Sequence, residues 1–455
     1  MNRLVLLVLL AILTACGSGS RHDATVAQDG GMDSDTDSSV PSDAGMDSGV
    51  TVDAGTDTGI DSDVPVGSWS GTPVLAKCGG TLCCALTDNH LARCWGYAVV
   101  TENASDHGPD YGSAEFPTRM QMVGHNPFNT PVDFAVGGNH VCFLGAAGGV
   151  ECAGISLHGE AGTSLITEPW REKATFPTCY DMPDVVNCAG GHINISGAVS
   201  IIANAKTTCA RKADGSTWCW GEVGFHRTSV DTVEGNPIYS AEPVLMDVVP
   251  TDAVDVYLGR DDSKDICWSI ADIGVYCDDW SDFDGAFGLT GVYAQASIGR
   301  AHIFSRYDEL HMTSAGDNTY GQNVGSLWSF RPTAICAGDD FNCFIDNRLD
   351  SVYCWGRNHE GQVGSNSSDT IVTPPQHVYK ASDGSPLQDA ASITCASNSA
   401  CALLHDGSMY CWGSQSRPNV LGHGGLVPSP RAANQVCWIT DRGDGAGAVP
   451  DWCGR

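Results

Sequence analysis

The chain has few cations: 23 Lys and Arg stand against 54 Asp and Glu in 455 residues, a formal net charge of -31. A surface so short of positive charge repels a phosphate backbone, which argues against nucleic acid as a partner. Long apolar runs are missing too. Leu4 to Leu13 is ten residues, half of the roughly 20 that a membrane helix takes, and no other segment is apolar enough to span a bilayer. Apolar stripes at helical spacing are scarce, which argues against a helical bundle. Catalytic patterns are poor as well. "HEGQV" at His359 opens like a zinc-protease motif but has Val363 where the second histidine should stand, and no Gly-x-Ser-x-Gly elbow occurs, since "GSWSG" at Gly67 puts Trp69 at the nucleophile position.

What is present starts with an address. "MNRLVLLVLLAILTAC" carries Arg3 and then the short apolar run, the form of a secretory signal. Leu13-Thr14-Ala15-Cys16 resembles the bacterial lipobox, in which the cysteine becomes the lipidated first residue; the alternative is an ordinary cleaved signal with a stray cysteine. Gly17 follows Cys16, so the aspartate that retains such proteins at the inner membrane is missing. The expectation is a lipid-anchored chain of the bacterial outer membrane or cell surface, in contact with the membrane through that anchor alone. Residues 17–68 contain eleven Asp, one Arg and no aromatic residue. Such a segment has almost nothing to bury against its ordering entropy and should be an extended acidic tether. The expected organisation is residues 1–16 as signal with Cys16 as the lipidation site, 17–68 as disordered linker, and 69–455 as one domain.

Once Cys16 is set aside, twenty of the 21 cysteines remain, an even number that favours disulfides in an exported chain. Cys84 and Cys94, Cys142 and Cys152, Cys209 and Cys219, Cys267 and Cys277, and Cys401 and Cys411 are each ten apart, while Cys343 and Cys354 are eleven apart. Each pair is centred on a turn-forming stretch such as Asp214-Gly215 or Asp406-Gly407. Folded there, the cysteines stand directly opposite each other on antiparallel strands, where Cα atoms approach to about 4.5 Å and a disulfide can form. Cys179 and Cys188 are expected to close an insertion loop. Cys78, Cys83, Cys336, Cys395, Cys437 and Cys453 have no assigned partner, and one use for them is to clip the C-terminal tail onto itself or onto the first unit. The cluster Cys78, Cys83, Cys84, His90, Cys94 comes nearest to zinc spacing, but disulfides are the preferred reading.

The hairpin phrase repeats. "CALTDNHLARCWG" from Cys84, "CARKADGSTWCWG" from Cys209, "CFIDNRLDSVYCWG" from Cys343 and "CALLHDGSMYCWG" from Cys401 are copies, and aligning on the glycine after the second cysteine gives further units at Gly154 and, degenerate, at Asp279. One more copy has no cysteine: "HIFSRYDELHMTSAGDNTYGQNVG" has Phe304 and Ser314 at the two staple positions. Seven units with periods of this size signal a propeller, solenoid or array.

The joint pattern of Cys-Ala-Leu, turn, strand, Cys-Trp-Gly and Asn-x-x-Gly-Gln-Val-Gly, complete in "CWGRNHEGQVG" from Cys354, closely resembles the regulator-of-chromosome-condensation repeat. That resemblance implies an all-β fold, a disulfide-stapled seven-bladed β-propeller over residues 69 to about 435. It also brings departures: the fourth unit reads "CDDWSDFDGAFG" in place of Trp-Gly, and the fifth lacks both cysteines. Trp95, Trp220, Trp355 and Trp412 recur at one position and should pack between blades, and His140, His302 and His405 fall at repeat positions with structural roles. Trp170, Trp328 and Tyr239 lie outside the repeat in connecting segments and are the candidate binding aromatics. The acidic knots "GRDDSKD" at Gly259 and "DDWSDFDG" at Asp278 have the donors calcium takes; a solvated rim is the reading adopted, so no cofactor is expected. The best-known relative is a guanine-nucleotide exchange factor for a nuclear GTPase, a role that does not suit an exported chain. The expected function is a binding module, not an enzyme, for a protein or glycan outside the cytoplasm, acting as a monomer. The alternatives are an extracytoplasmic hydrolase or lyase with a carboxylate or calcium site at the propeller mouth, and a structural envelope component.

Overall fold

The computed structural model describes residues 71–90, 92–96, 114–119, 131–154, 159–162, 192–223, 239–260, 266–271, 274–278, 289–290, 295–306, 311–323, 329–414, 421–422 and 431–436. The signal, Cys16, the acidic linker, Trp170, Trp328, Cys437 and Cys453 lie outside the described residues. So do Cys179 and Cys188, the pair expected to close an insertion loop. All that is described belongs to one unit, Val64–Arg455. No helix occurs among the described residues; every element is a strand.

The strands form seven antiparallel sheets. The first is β1 (Pro73–Cys78), β2 (Leu82–Thr87), β3 (Ala92–Gly96) and β4 (Ala114–Arg119); the second is β5 (Pro131–Val136), β6 (His140–Gly145), β7 (Val150–Gly154) and β8 (His192–Ile193). The third is β9 (Ala198–Ala203), β10 (Thr207–Lys212), β11 (Thr217–Glu222) and β12 (Tyr239–Leu245); the fourth is β13 (Ala253–Leu258), β14 (Ile266–Ile270), β15 (Gly274–Cys277) and β16 (Leu289–Thr290). The fifth is β17 (Gln295–Ile298), β18 (His302–Arg306) and β19 (Met312–Gly316). The sixth is β20 (Pro332–Ala337), β21 (Phe341–Asp346), β22 (Ser351–Arg357) and β23 (Ile371–His377); the seventh is β24 (Ala390–Cys395), β25 (Ser399–Leu404), β26 (Met409–Gly413) and β27 (Asn434–Gln435). Each is a meander in chain order, from the innermost strand outward.

Burial explains the sequence of each strand. The second strands β2, β6, β21 and β25 are buried at every residue, because neighbouring sheets cover both faces, and such strands read as unbroken apolar runs, as in "LCCALT". The outer strand β23 alternates with mostly exposed positions. Seven buried apolar clusters lie between successive sheets: Phe134 and Leu82 join the second sheet to the first, and Cys401 and Trp95 join the seventh to the first. Innermost strands pack in the same order, β1 on β5, β5 on β9, and finally β24 back on β1. The sheets therefore close into a ring, which leaves few open edges.

The hairpin cysteines face one another in the ladder, Cys209 opposite Cys219 and Cys343 opposite Cys354, with Cα atoms 4.0 and 4.1 Å apart. The other four pairs, Cys84–Cys94, Cys142–Cys152, Cys267–Cys277 and Cys401–Cys411, are joined in the same way. In the unstapled fifth sheet Phe304 stands opposite Ser314, in the staple register. Two further bridges pair four of the unassigned cysteines and leave Cys78 and Cys83 with no free sulfur for a tail clip onto the first sheet, while a clip of the tail onto itself falls on Cys437 and Cys453, outside the described residues. Cys78 closes on its cross-strand neighbour Cys83, and Cys336 of the sixth sheet joins Cys395 of the seventh at a Cα separation of 5.5 Å.

The Trp-Gly after the second cysteine has a specific job. Gly96, Gly154, Gly221, Gly316, Gly356 and Gly413 all have φ between 98° and 119°, a region side chains avoid. A Cβ at any of them would lie 2.2 to 2.6 Å from a backbone carbonyl of the adjoining strand or loop. The tryptophan beside the glycine latches its sheet to the previous one. Trp355 Nε1 donates to the Gln322 carbonyl, Trp412 Nε1 to that of Gln362, and Trp220 Nε1 to that of Glu160, each at 2.9 Å.

Candidate functional site

The short links between first and second strands gather at one end of the ring, around its axis. They are held there by a hoop of hydrogen bonds from sheet to sheet. Gly80 N donates to Gly137 O (3.2 Å), Arg260 N to Gly299 O (3.3 Å), Arg300 N to Asp339 O (3.1 Å) and Asp339 N to Ser397 O (3.0 Å). Asn204 Nδ2 donates to Gly259 O at 3.0 Å. The seam between first and last sheets is closed by Cys78 N donating to Thr394 Oγ1 at 3.0 Å. These backbones approach closely because they lack side chains: a Cβ on Gly79 would meet the Gly137 carbonyl.

A cavity of about 200 Å³ opens here, walled by Gly80, Gly137, Asn204, Tyr257, Arg260 and Ser297 among others. That volume is below the roughly 300 Å³ at which small-molecule sites begin. Arg260 crosses the axis from the fourth sheet. Its Nε donates to the Ala337 carbonyl at 2.8 Å and its Nη2 contacts the Cys395 carbonyl, so the guanidinium braces the sixth and seventh sheets and is not turned to a ligand. Tyr257, its hydroxyl 3.4 Å from Ser269 Oγ, is pushed up to about 12 by burial and by the nearby Asp255 carboxylate; it stays protonated at neutral pH and offers no base.

The repeat-position polar groups are built into the scaffold. His302 is fully buried, its ring packed on Gly299 and its Nε2 2.9 Å from Asn342 Oδ1. Burial holds it below the usual histidine range, so it is neutral near pH 7. His140 is buried in the same way on Gly137, 2.7 Å from Thr208 Oγ1. His405 is exposed, 3.5 Å from Asp350. In the Asn-x-x-Gly-Gln stretch, Asn358 donates to the carbonyls of Ser367 and Asp369 and accepts from Val363 N, while Gln362 accepts from Glu360 N and reaches Asn398 of the next sheet.

Of the candidate aromatics, Tyr239 is placed in an outer strand and not in a connecting segment. It opens β12 opposite Glu222, and desolvation first and the Glu222 charge second push its hydroxyl up. Of the acidic knots, Asp278 caps its own hairpin by accepting from Ile266 N at 3.0 Å; most of both knots lies outside the described residues. The sulfurs of Cys78, Cys83 and Cys401 lie within 4.8 Å of one another, but all three are in disulfides, so they offer no thiolate to a metal. Arg260 carries no signal in the sequence: nothing in a local motif marks a residue whose partners lie 77 and 135 positions away.

Residues 333–362 and 350–403 match profiles of the regulator of chromosome condensation (RCC1) repeat. No curated protein matches the chain. Among solved structures, yeast RCC1 (Prp20) with Kap60 bound superposes with a TM-score of 0.54 at 15% identity, covering 81% of this chain and 85% of that one. Prp20p of Saccharomyces cerevisiae, described with its binding to Gsp1p and histones, gives 0.54 and 15% over 80% and 87%. At that identity the likeness carries the fold alone: this chain is an all-β protein of propeller architecture that resembles the RCC1 propeller, and residues 333–403 match the RCC1 repeat.

Proposed function

We propose that this chain is an exported lipoprotein, anchored through Cys16 and its acidic tether, whose propeller is a binding module for a protein or glycan partner outside the cytoplasm. The observation that carries the reading is how the repeat's polar groups are used. The buried histidines, the Asn-x-x-Gly-Gln stretch and the axial arginine are bonded within the scaffold, and the tryptophan latches hold sheet to sheet. A rigid ring results whose ends differ from sheet to sheet, the form in which loops carry recognition. Yeast RCC1 is described as bound by Kap60 and as binding Gsp1p and histones, which supports protein recognition by this architecture; the extension to this chain is analogy. Nucleotide exchange does not fit, because an exported chain meets no nucleotide-charged GTPase.

Two measurements test the reading. Expressed in a Gram-negative host with labelled fatty acid, the native chain should take label and sediment with membranes, and Cys16→Ala should release it unlabelled. Immobilised in oxidised form against cell-surface extract and a glycan array, the mature chain should retain a saturable ligand unchanged. Turnover of the retained ligand, or no ligand at all, would overturn the binding role.

A further inference from the structure

Seven large apolar side chains are exposed among the described residues, and six of them sit at one end of the ring. Four occupy a single repeat position. Pro73 pairs with Thr87 but Leu75 pairs with Leu86, so Val74 is skipped by the ladder. The same slip skips Val132, Val199 and Val254 in the next three sheets, and Thr333 and Ala391 in the sixth and seventh. An extra residue of this kind is a β-bulge, which bends the strand and re-aims the side chain. All six bulge residues are exposed, the four valines by 47 to 60%.

These bulges lie at the end where second and third strands join in their hairpin turns, since Thr87 and its equivalents directly precede those turns. Leu349, 69% exposed, is in the β21–β22 turn, and Leu245, 43% exposed, pairs with Trp218 just after the β10–β11 turn. Ile371 is at the opposite end, opposite Arg357.

Folding does not ask for valine there. Thr333 and Ala391 fill the same register, and the bulged backbone is held by neighbours: Arg211 Nη1 donates to Val254 O (2.8 Å) and Arg306 Nη1 to Pro332 O (3.2 Å). An arc of apolar groups that the scaffold does not need marks an interaction surface.

The exposed charge at this end is predominantly acidic. Asp214 and Asp406, on exposed turns, accept from the hydroxyl and backbone of Ser216 and Ser408, which lowers both carboxyls below their ordinary range. Asp88 and Asp252 are exposed as well. Most cations here are engaged with the chain itself: Arg348, still exposed, on Asp346 at 2.8 Å, Arg211 on fourth-sheet carbonyls, and Lys212 over the Trp218 ring at 4.8 Å; Arg331, exposed at the start of the sixth sheet, stands beside them.

We propose that the hairpin-turn end is the docking face, and that its occupant is a basic protein segment in which Lys or Arg alternates with aliphatic side chains. This rests on the binding-module reading and narrows it to protein. A glycan would leave the valines unmatched, and an anionic membrane would be repelled by the carboxylates.

The test uses the oxidised mature chain and two short labelled probe peptides, one alternating lysine with leucine and one alternating glutamate with leucine. The lysine peptide should bind saturably and weaken as NaCl rises; the glutamate peptide should not bind. The quadruple variant V74T, V132T, V199T, V254T should weaken binding by at least about tenfold, while Ile371→Thr at the far end should leave it unchanged. Because Thr333 already occupies this register, the quadruple variant should keep the native melting temperature; should it misfold, D214K with D406K probes the same face through charge, with a comparable loss expected. Native-like affinity in both variants, equal binding of the glutamate peptide, or preference for phosphatidylglycerol vesicles would overturn the proposal. An extract partner that binds the valine variants as well as the native chain would leave the binding role standing and remove this face.

Discussion

Alanine in place of Gly356 would put a methyl carbon 2.6 Å from the Asp340 carbonyl oxygen and 2.8 Å from Phe341 Cα, at a φ of +112°. Gly384 supplies the control: its φ is +69° and nothing lies within 4 Å of the added carbon. Both substitutions incur the left-handed backbone cost of roughly 1 to 2 kcal/mol, offset in part by about 0.4 to 1 kcal/mol from the stiffer unfolded chain. Gly384→Ala should therefore cost about 1 kcal/mol. Gly356→Ala must also part β22 from β21, where backbone atoms block the methyl, and overpacking adds roughly 1 to 3 kcal/mol. In a domain this large 1 kcal/mol moves Tm by about 2 °C, so the expected falls are about 2 °C for Gly384→Ala and at least about 4 °C for Gly356→Ala. Calorimetry on the unreduced chain measures both. Equal melting temperatures would refute the claim that the glycine after the second cysteine is required by a carbonyl contact. Gly316, in the unstapled fifth sheet with φ +100°, should behave as Gly356 does.

Other consequences can be measured on the same material. On the chain-entropy relation, losing the 59-residue Cys336–Cys395 loop as a double alanine variant should cost about 4 kcal/mol, against about 3 kcal/mol for the 11-residue Cys343–Cys354 loop; urea unfolding should rank them so. Peptide mapping of unreduced protein should recover Cys78 joined to Cys83. Because the folded His302 pKa is depressed below its ordinary 6.5, the unfolded chain binds the extra proton, so stability is present above pH 6.5 and falls as pH drops from there towards the folded pKa. His302→Phe, which copies Phe341 over Gly338, should reduce the slope of stability against pH in that window. Trp412→Phe removes the 2.9 Å bond to the buried Gln362 carbonyl and should cost about 1 to 3 kcal/mol, with faster hydrogen exchange at the boundary between sixth and seventh sheets.

The hairpins were legible because their information is local. Two cysteines ten positions apart with a turn former midway specify two facing strands without reference to the rest of the chain, and even the unstapled copy held its register, Phe304 opposite Ser314. The inter-sheet tryptophans were legible from recurrence alone. Their partners were not, since the Gln-loop carbonyl that each one meets comes from the preceding unit, 33 residues away for Trp355 and 50 for Trp412.

Closure of the ring belonged to tertiary structure. Cys78 and Cys395 look equivalent in sequence, yet one pairs within its sheet and the other bridges to the sixth. Tyr239 looked like a loop residue because its ladder partner Glu222 lies well back along the chain, across the insertion read from the sequence. The bulge valines are inconspicuous in the sequence, where Pro-Val and Ala-Val read as ordinary strand starts; they become a surface when seven sheets bring their starts to one end. Strand pairing ten residues apart is decided by turn chemistry and alternation. Which sheet meets which, and what the ring's two ends present, is decided by packing over the whole circumference, and no local run of residues encodes that.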